Sequence, residues 1–207
     1  MFTSRARITL AGTGIAVALL VAGCSSDSGS SASGTTHEMA DMPGMSPSST
    51  SSAAATRTDF NAADVTFLQM MYPHHAQAVE MAKLVPSRSQ NQQLIALASK
   101  IEAAQAPEMT KFAELLHSFG KPAPSATMDH PMGGVMSQDQ MTALRQASGA
   151  AFDKMWLQMM IEHHQGAVTM SNTELSGGSN AEVKALAQGI VTAQQAEIQQ
   201  MRGMTQS

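Results

Sequence analysis

The chain repeats itself without a gap. Phe67-Leu68-Gln69-Met70-Met71-Tyr72-Pro73-His74-His75 is answered by Trp156-Leu157-Gln158-Met159-Met160-Ile161-Glu162-His163-His164, an offset of 89 residues. The same offset carries Asp64 onto Asp153, Ala78-Val79 onto Ala167-Val168 and Met81 onto Met170. It then carries Ala96-Leu97-Ala98 onto Ala185-Leu186-Ala187, Ile101 onto Ile190, Gln105 onto Gln194 and Glu108 onto Glu197. Chance does not hold a register that long, so the fold is built from two copies of one unit.

Each copy reads as two helices. Positions 64, 67, 68, 71, 74, 75, 78 and 81 fall on one face at 3.6 residues per turn. A break is expected at Pro86-Ser87-Arg88-Ser89, followed by a second helix that runs to about Phe119 and stops at Gly120-Lys121-Pro122. In the second copy the break is Ser176-Gly177-Gly178-Ser179-Asn180, with Asn180 placed to cap a helix reaching about Met204. Pro73 withholds a donor from the Gln69 carbonyl, which predicts a kink just before His74. Glu162 stands at that position in the second copy, and Ala196 stands opposite Pro107, so the copies are not identical. Strand patterns are weak and only 4% of residues are aromatic. Two helical hairpins stack most simply as an all-α four-helix bundle, with halves 59–120 and 138–205 and a Pro/Gly linker 121–137.

What precedes the bundle is an address and a tether. Arg5 and Arg7 lead an apolar run from Ile8 to Ala22 that ends in Leu20-Val21-Ala22-Gly23-Cys24. That pattern is a secretory signal over 1–23, too short to span a bilayer comfortably at roughly 20 residues. Its ending resembles a bacterial lipobox, which makes Cys24 the lipidated first residue of the mature chain. Acyl chains on Cys24 would hold the protein to a membrane of the cell envelope, facing outside the cytoplasm. Residues 24–58 are rich in Ser, Gly, Thr, Ala and Pro and are expected to form a disordered, flexible spacer. The only Cys in the chain excludes an internal disulfide framework and a Cys-rich zinc module. A net charge of −4, which becomes −6 when Arg5 and Arg7 leave with the signal, argues against nucleic acid as a partner.

The chemistry lies in the histidine doublets. Met71 precedes His74 and His75 by three and four positions, within side-chain reach on a helix, and Met160 stands in the same relation to His163 and His164. A duplicated bundle would bring both doublets into one interior, where imidazoles without partners are costly and a metal ion would satisfy them. The alternative is that they are hydrogen-bonded core residues. Imidazole with thioether favours copper, above all Cu(I), over hard cations; zinc rarely takes Met. Met81 and Met170, on the same helical face, complete the candidate ligands. Glu108, Glu197, Gln105 and Gln194, with Asp64 and Asp153, are candidates to orient the ligands from behind. Spaced soft donors recur outside the helices at His37, Met39, Met42 and Met45 in the tether and at Met128, His130, Met132 and Met136 in the linker, where they could capture ions or simply fill space.

Asp153, Trp156, Met159-Met160, His163-His164-Gln165-Gly166-Ala167, Met170, Gln194, Glu197-Ile198 and Met201 resemble the family of the domain of unknown function numbered 305. The first copy matches at Asp64, Phe67, Met70-Met71, Pro73-His74-His75, Ala78, Met81, Gln105 and Glu108, and departs at Ala76-Gln77 and Pro107. The resemblance covers roughly 60–204 and implies a ferritin-like bundle, commonly exported or lipid-anchored, with copper binding in some members.

The leading expectation is therefore an envelope lipoprotein that sequesters copper or hands it to a transfer protein, without turnover. A second reading is a ferritin-like oxidase using iron or copper. Carboxylate-bridged iron bundles use Glu-x-x-His, and Glu114-Leu115-Leu116-His117 fits that motif, but its repeat partners are Gly203 and Gln206. A third is a metal-free structural lipoprotein.

Overall fold

The computed structural model describes residues 57–127 and 132–206. Cys24, the tether donors His37, Met39, Met42 and Met45, and the linker donors Met128 and His130 lie outside the described residues. Those described form five helices: α1 (Ala62–Arg88), α2 (Gln92–Ser118), α3 (Gln138–Gln146), α4 (Gly149–Gly177) and α5 (Ala181–Thr205). No strand occurs among them. α1 packs along α2 and α4 along α5, and the two hairpins meet chiefly through α1 and α4. This is an all-α, ferritin-like four-helix bundle with a long crossover between the hairpins.

The repeat is visible in the caps. Asn91 and Asn180 are equivalent positions, and each side chain accepts from two backbone amides at the start of its helix, Gln93 and Leu94 in α2, Glu182 and Val183 in α5. α1 opens on a capping box, in which Asn61 accepts from Ala63 and Asp64 while Asp64 accepts from the Asn61 amide. Asp64 also accepts from the Ser179 amide and hydroxyl and from the Asn180 amide. It therefore staples the start of α1 to the α4–α5 turn. That corrects its expected role behind the histidines, since ten residues of helix put it about 15 Å from His74. Asp153, ten residues before His163, is equally remote.

Two local expectations change. Pro86 lies in the last turns of α1, not in a break, and the chain turns at Ser89–Asn91 instead. Pro73 lies inside α1, which runs from Ala62 to Arg88. The second half contains an additional short helix, α3, which buries Met141 and Leu144. Its start was written in the sequence as a capping box, Ser137 with Gln140, inside a stretch otherwise read for its prolines and glycines.

The apolar core forms two clusters. One gathers Met81, Val85, Leu94, Leu97, Trp156 and Met160, and the Trp156 indole donates to the Met81 carbonyl at 2.9 Å. The other gathers Phe67, Leu68, Met71, Phe112, Leu116 and Ile190. Along α1 the second cluster supplies residues before His74 and the first cluster residues after His75; along α4 that order is reversed around His163 and His164.

Candidate metal centre

Between the apolar clusters lies one polar layer to which all four long helices contribute. α1 brings His74 and His75, α2 brings Gln105 and Glu108, α4 brings His163 and His164, and α5 brings Gln194 and Glu197. The four imidazoles have no exposed surface, and both glutamines are 3% exposed. Because the repeat places the same residue types at equivalent positions, the pseudo-twofold gathers them at one level of the bundle.

The layer has an inner and an outer pair. His74 and His163 face each other across the α1–α4 contact with ring centroids 3.8 Å apart, tilted by 44°. Neither nitrogen of either ring has a hydrogen-bond partner. The outer histidines are each held by the second helix of their own hairpin: His75 Nε2 meets Glu108 Oε2 at 2.8 Å, and His164 Nε2 meets Glu197 Oε2 at 2.8 Å. A carboxylate only accepts, so it selects the tautomer with the proton on Nε2 and leaves a lone pair on Nδ1. Both Nδ1 atoms are buried and unpaired. This is the arrangement in which a carboxylate orients a histidine towards a metal and raises its basicity.

Burial sets the charge state. It pushes His74 down to about 3, helped by His75 and His164 nearby, while the Gly133 backbone approaches closely enough to oppose it slightly without forming a proper hydrogen bond. Burial also holds His163 well below the usual range, and His74 and His164 add to that. His75 is lowered by burial against the opposing pull of Glu108. At neutral pH these rings are neutral and their lone pairs are available to a ligand.

The donors are soft. Among the described residues, no group of three or more His, Cys, Asp or Glu is placed to hold a metal ion. Imidazole nitrogens, with thioethers beside them, are what the layer offers. Met71 and Met160 are fully buried one turn before the doublets. Each unpaired buried nitrogen costs about 1–3 kcal/mol, and an ion accepting those lone pairs would remove that cost. Gln105 has neither amide atom hydrogen-bonded, and Gln194 has its oxygen unpaired, so both can respond to what enters the layer.

Other expected donors are placed elsewhere. Met81 and Met170 lie seven residues from the doublets, about 10 Å along the axis. Met81 is sealed in the core, whereas Met170 lines a surface groove. Met136 is 3% exposed and belongs to the core, which corrects its reading as a flexible ion trap. Met132 is half-buried and lines a surface cleft with Pro73, Gln77 and Met141. Glu114 and His117 are exposed on α2 and stand apart from the polar layer.

The sequence reading missed what closes the layer. Gly133 and Gly134 of the linker lie directly on α4 beside His163. A Cβ on Gly166 would sit 2.1 Å from the Gly133 carbonyl oxygen, and Gly134 adopts φ +83° against the His163 and Glu162 carbonyls. On the α1 side, Gln77 grips the same linker, donating to the Met136 carbonyl at 2.9 Å and accepting from its amide at 2.7 Å. The signal was present as the departure from the repeat two residues past each doublet, Gln77 against Gly166.

The profile of the family described as a domain of unknown function (DUF305) matches residues 64–205. No curated protein matches the chain. Among solved structures, a DUF305 fragment from Deinococcus radiodurans is 32% identical with TM-score 0.65, covering 70% of this chain and 96% of that one. A DUF305 protein from Streptomyces coelicolor, described as secreted, is 29% identical with TM-score 0.64, covering 69% and 91%. CopM in its Cu(II)-bound form is 30% identical with TM-score 0.62, covering 69% and 95%, and CopM was also solved with Cu(I) and with silver.

Proposed function

The chain belongs to the DUF305 family, and from that premise we propose that it is an extracytoplasmic, lipid-anchored protein that binds copper for sequestration or transfer. The observation that carries this reading is the His74–His163 pair, fully buried, 3.8 Å apart and without a hydrogen bond at any ring nitrogen. Met71 and Met160 supply thioethers on the same helical faces, and His75 and His164 add Nδ1 lone pairs directed by Glu108 and Glu197. Such a set suits Cu(I), which accepts few ligands and prefers sulfur and imidazole. CopM, a relative of similar fold, was solved with Cu(II), Cu(I) and silver, which supports the same cargo here. The lipid on Cys24 and the extracytoplasmic setting rest on the signal-like leader.

The test is a competition titration with Cu(I) and Ag(I) on the mature chain, purified without a histidine tag. Replacing both doublets with Ala should remove the high-affinity component while the helical circular dichroism signal survives. Unchanged affinity in that variant overturns the assignment. For the anchor, a Cys24→Ala chain expressed in a bacterial host should lose the acyl mass and leave the membrane fraction. An oxidase has less support, because Glu114 and His117 are exposed and apart from the layer.

A further inference from the structure

The polar layer is sealed on every side. His74, His75, His163, His164, Met71 and Met160 have no exposed surface, so an ion reaches them only where part of the cover moves. Along the bundle axis the apolar clusters close the layer. Towards α2 and α5 it is closed by His75 and His164 themselves, each held at 2.8 Å by a carboxylate on a helix of 27 or 25 residues. Passage there breaks a charge-assisted hydrogen bond between long, packed helices.

The remaining side is covered differently. Gln77 and Gly166 follow the outer histidines by two positions, about 200° around their helices, and so face away from α2 and α5. Across that face runs the linker, and over the layer it lays glycine backbone. The Gly133 carbonyl lies against Gly166, Gly134 lies against the Glu162 and His163 carbonyls, and the Gly133 backbone also approaches the His74 ring. A turn in which the Val135 amide donates to the Met132 carbonyl shapes this crossing. Its hold on α1 is the Gln77 side chain, which donates to the Met136 carbonyl and accepts from the Met136 amide. Beside the strap a solvent-open cleft of about 770 Å³ is lined by Pro73, Ala76 and Gln77 from α1 and by Met132 and Met136. Pro73 directly precedes His74, so the cleft runs to the edge of the central pair. The histidines and their carboxylates are duplicated, whereas this latch is single: the repeat places Gly166 opposite Gln77.

We propose that the ion enters and leaves the polar layer from this cleft, by displacement of the strap at residues 132–136, and that the Gln77 latch sets the rate of that exchange. This route rests on the copper reading of the layer and governs how fast its cargo moves. The latch joins linker backbone to α1 and makes no bond to a proposed ligand. Its loss therefore bears equally on the loaded and the empty layer and leaves affinity unchanged.

The test loads the mature chain with Cu(I) and mixes it with excess of a coloured Cu(I) chelator in a stopped-flow cell. Because opening comes first, the release rate should reach a plateau that further chelator does not raise. Gln77→Ala should lift that plateau by about tenfold, as expected for two lost hydrogen bonds, and quicken uptake by the same factor. Affinity from equilibrium competition should stay at the wild-type value. A rate that stays proportional to chelator, or a Gln77→Ala plateau equal to that of wild type, would overturn the gate. So would a plateau raised by Glu108→Gln and not by Gln77→Ala, which would place the route between α2 and α5. Failure of the copper reading looks different: His74→Ala/His163→Ala would then keep wild-type affinity. If Gln77→Ala does not fold, hydrogen–deuterium exchange of the Met136 amide in the wild-type chain decides. That amide should exchange by local opening, well ahead of the buried amides of α1 and α4. Exchange only on global unfolding would mean that the strap stays shut and would overturn the proposal.

Discussion

The two halves of the bundle carry the same chemical unit and differ in what lies over it. Each presents a buried histidine doublet, with the outer ring tied to a carboxylate 33 residues downstream at 2.8 Å. Two residues past the doublet the likeness is interrupted. The first half has Gln77, whose amide holds the Met136 backbone by two hydrogen bonds; the second has Gly166, whose missing side chain lets the Gly133 carbonyl reach the helix. A tandem duplication supplies two equivalent surfaces but only one linker between them. Where that linker crosses the pseudo-axis it needs a grip on one side and clearance on the other. The chemistry stays symmetric because both copies point into one layer, and the covering diverges because only one strap exists.

The largest expected effect comes from asking whether the halves act as one site. His74→Ala and His163→Ala should each abolish high-affinity Cu(I) binding in a titration, because the central pair takes one ring from each copy. Half the stoichiometry at full affinity would show that the halves bind independently. Next come the carboxylates that orient the outer rings. Glu108→Gln and Glu197→Gln should each weaken binding by about 10–100-fold, measured by competition. The smaller loss is expected at Glu108, whose side chain is 28% exposed against 19% for Glu197.

The strap is tested next. Gly166→Ala should destabilise the bundle by about 1–3 kcal/mol in urea unfolding, since the Gly133 backbone must move. Gln77→Ala should cost about 1–3 kcal/mol by unpairing the Met136 backbone. A Gly166→Ala chain as stable as wild type would mean that the strap does not bear on α4.

The gentlest probe is pH, acting on the metal-free protein. His74 is held at about 3 and His163 well below its usual range, so the unfolded chain binds more protons than the folded one below about 6.5. Stability should therefore be full above that value and fall as the solution is acidified towards 3. Glu174 acts in the opposite sense. Burial and the Asp64 carboxylate push it up to about 8, so the folded chain keeps a proton that the unfolded chain releases near 4.5. Its contribution is present in acid and is lost as pH rises from 4.5 to 8. Glu174→Gln should flatten the alkaline side of the profile and leave the acid side unchanged. A Glu174→Gln midpoint that stays constant from pH 4 to 7, with the opposing group removed, would contradict the histidine shifts.

Much of this was legible in the residues. The offset of 89 pointed to a duplicated all-α fold, Asn180 marked one helix start, and the doublets with Glu108 and Glu197 were recognisable as a candidate site and its support. Asp64 misled because a carboxylate at matching points of a repeat reads the same whether it caps a helix or backs a ligand. Met136 misled because thioether is equally at home in a core and on a cation. The linker methionines look alike in sequence, and burial alone tells Met136 from Met132.

The sequence by itself determined that two like units would fold as helical hairpins and that each would present imidazoles with a sulfur donor one turn away, because periodicity and repetition are properties of the chain. Only the tertiary structure decided that His74 would meet His163 while His75 and His164 turned to carboxylates, and that Met81 would be sealed in the core while Met170 lined a surface groove. Adjacent helical residues point about 100° apart, so which of two neighbouring rings reaches the centre depends on how the helices are rotated against each other. That rotation is set by the packing of the apolar clusters on either side of the layer.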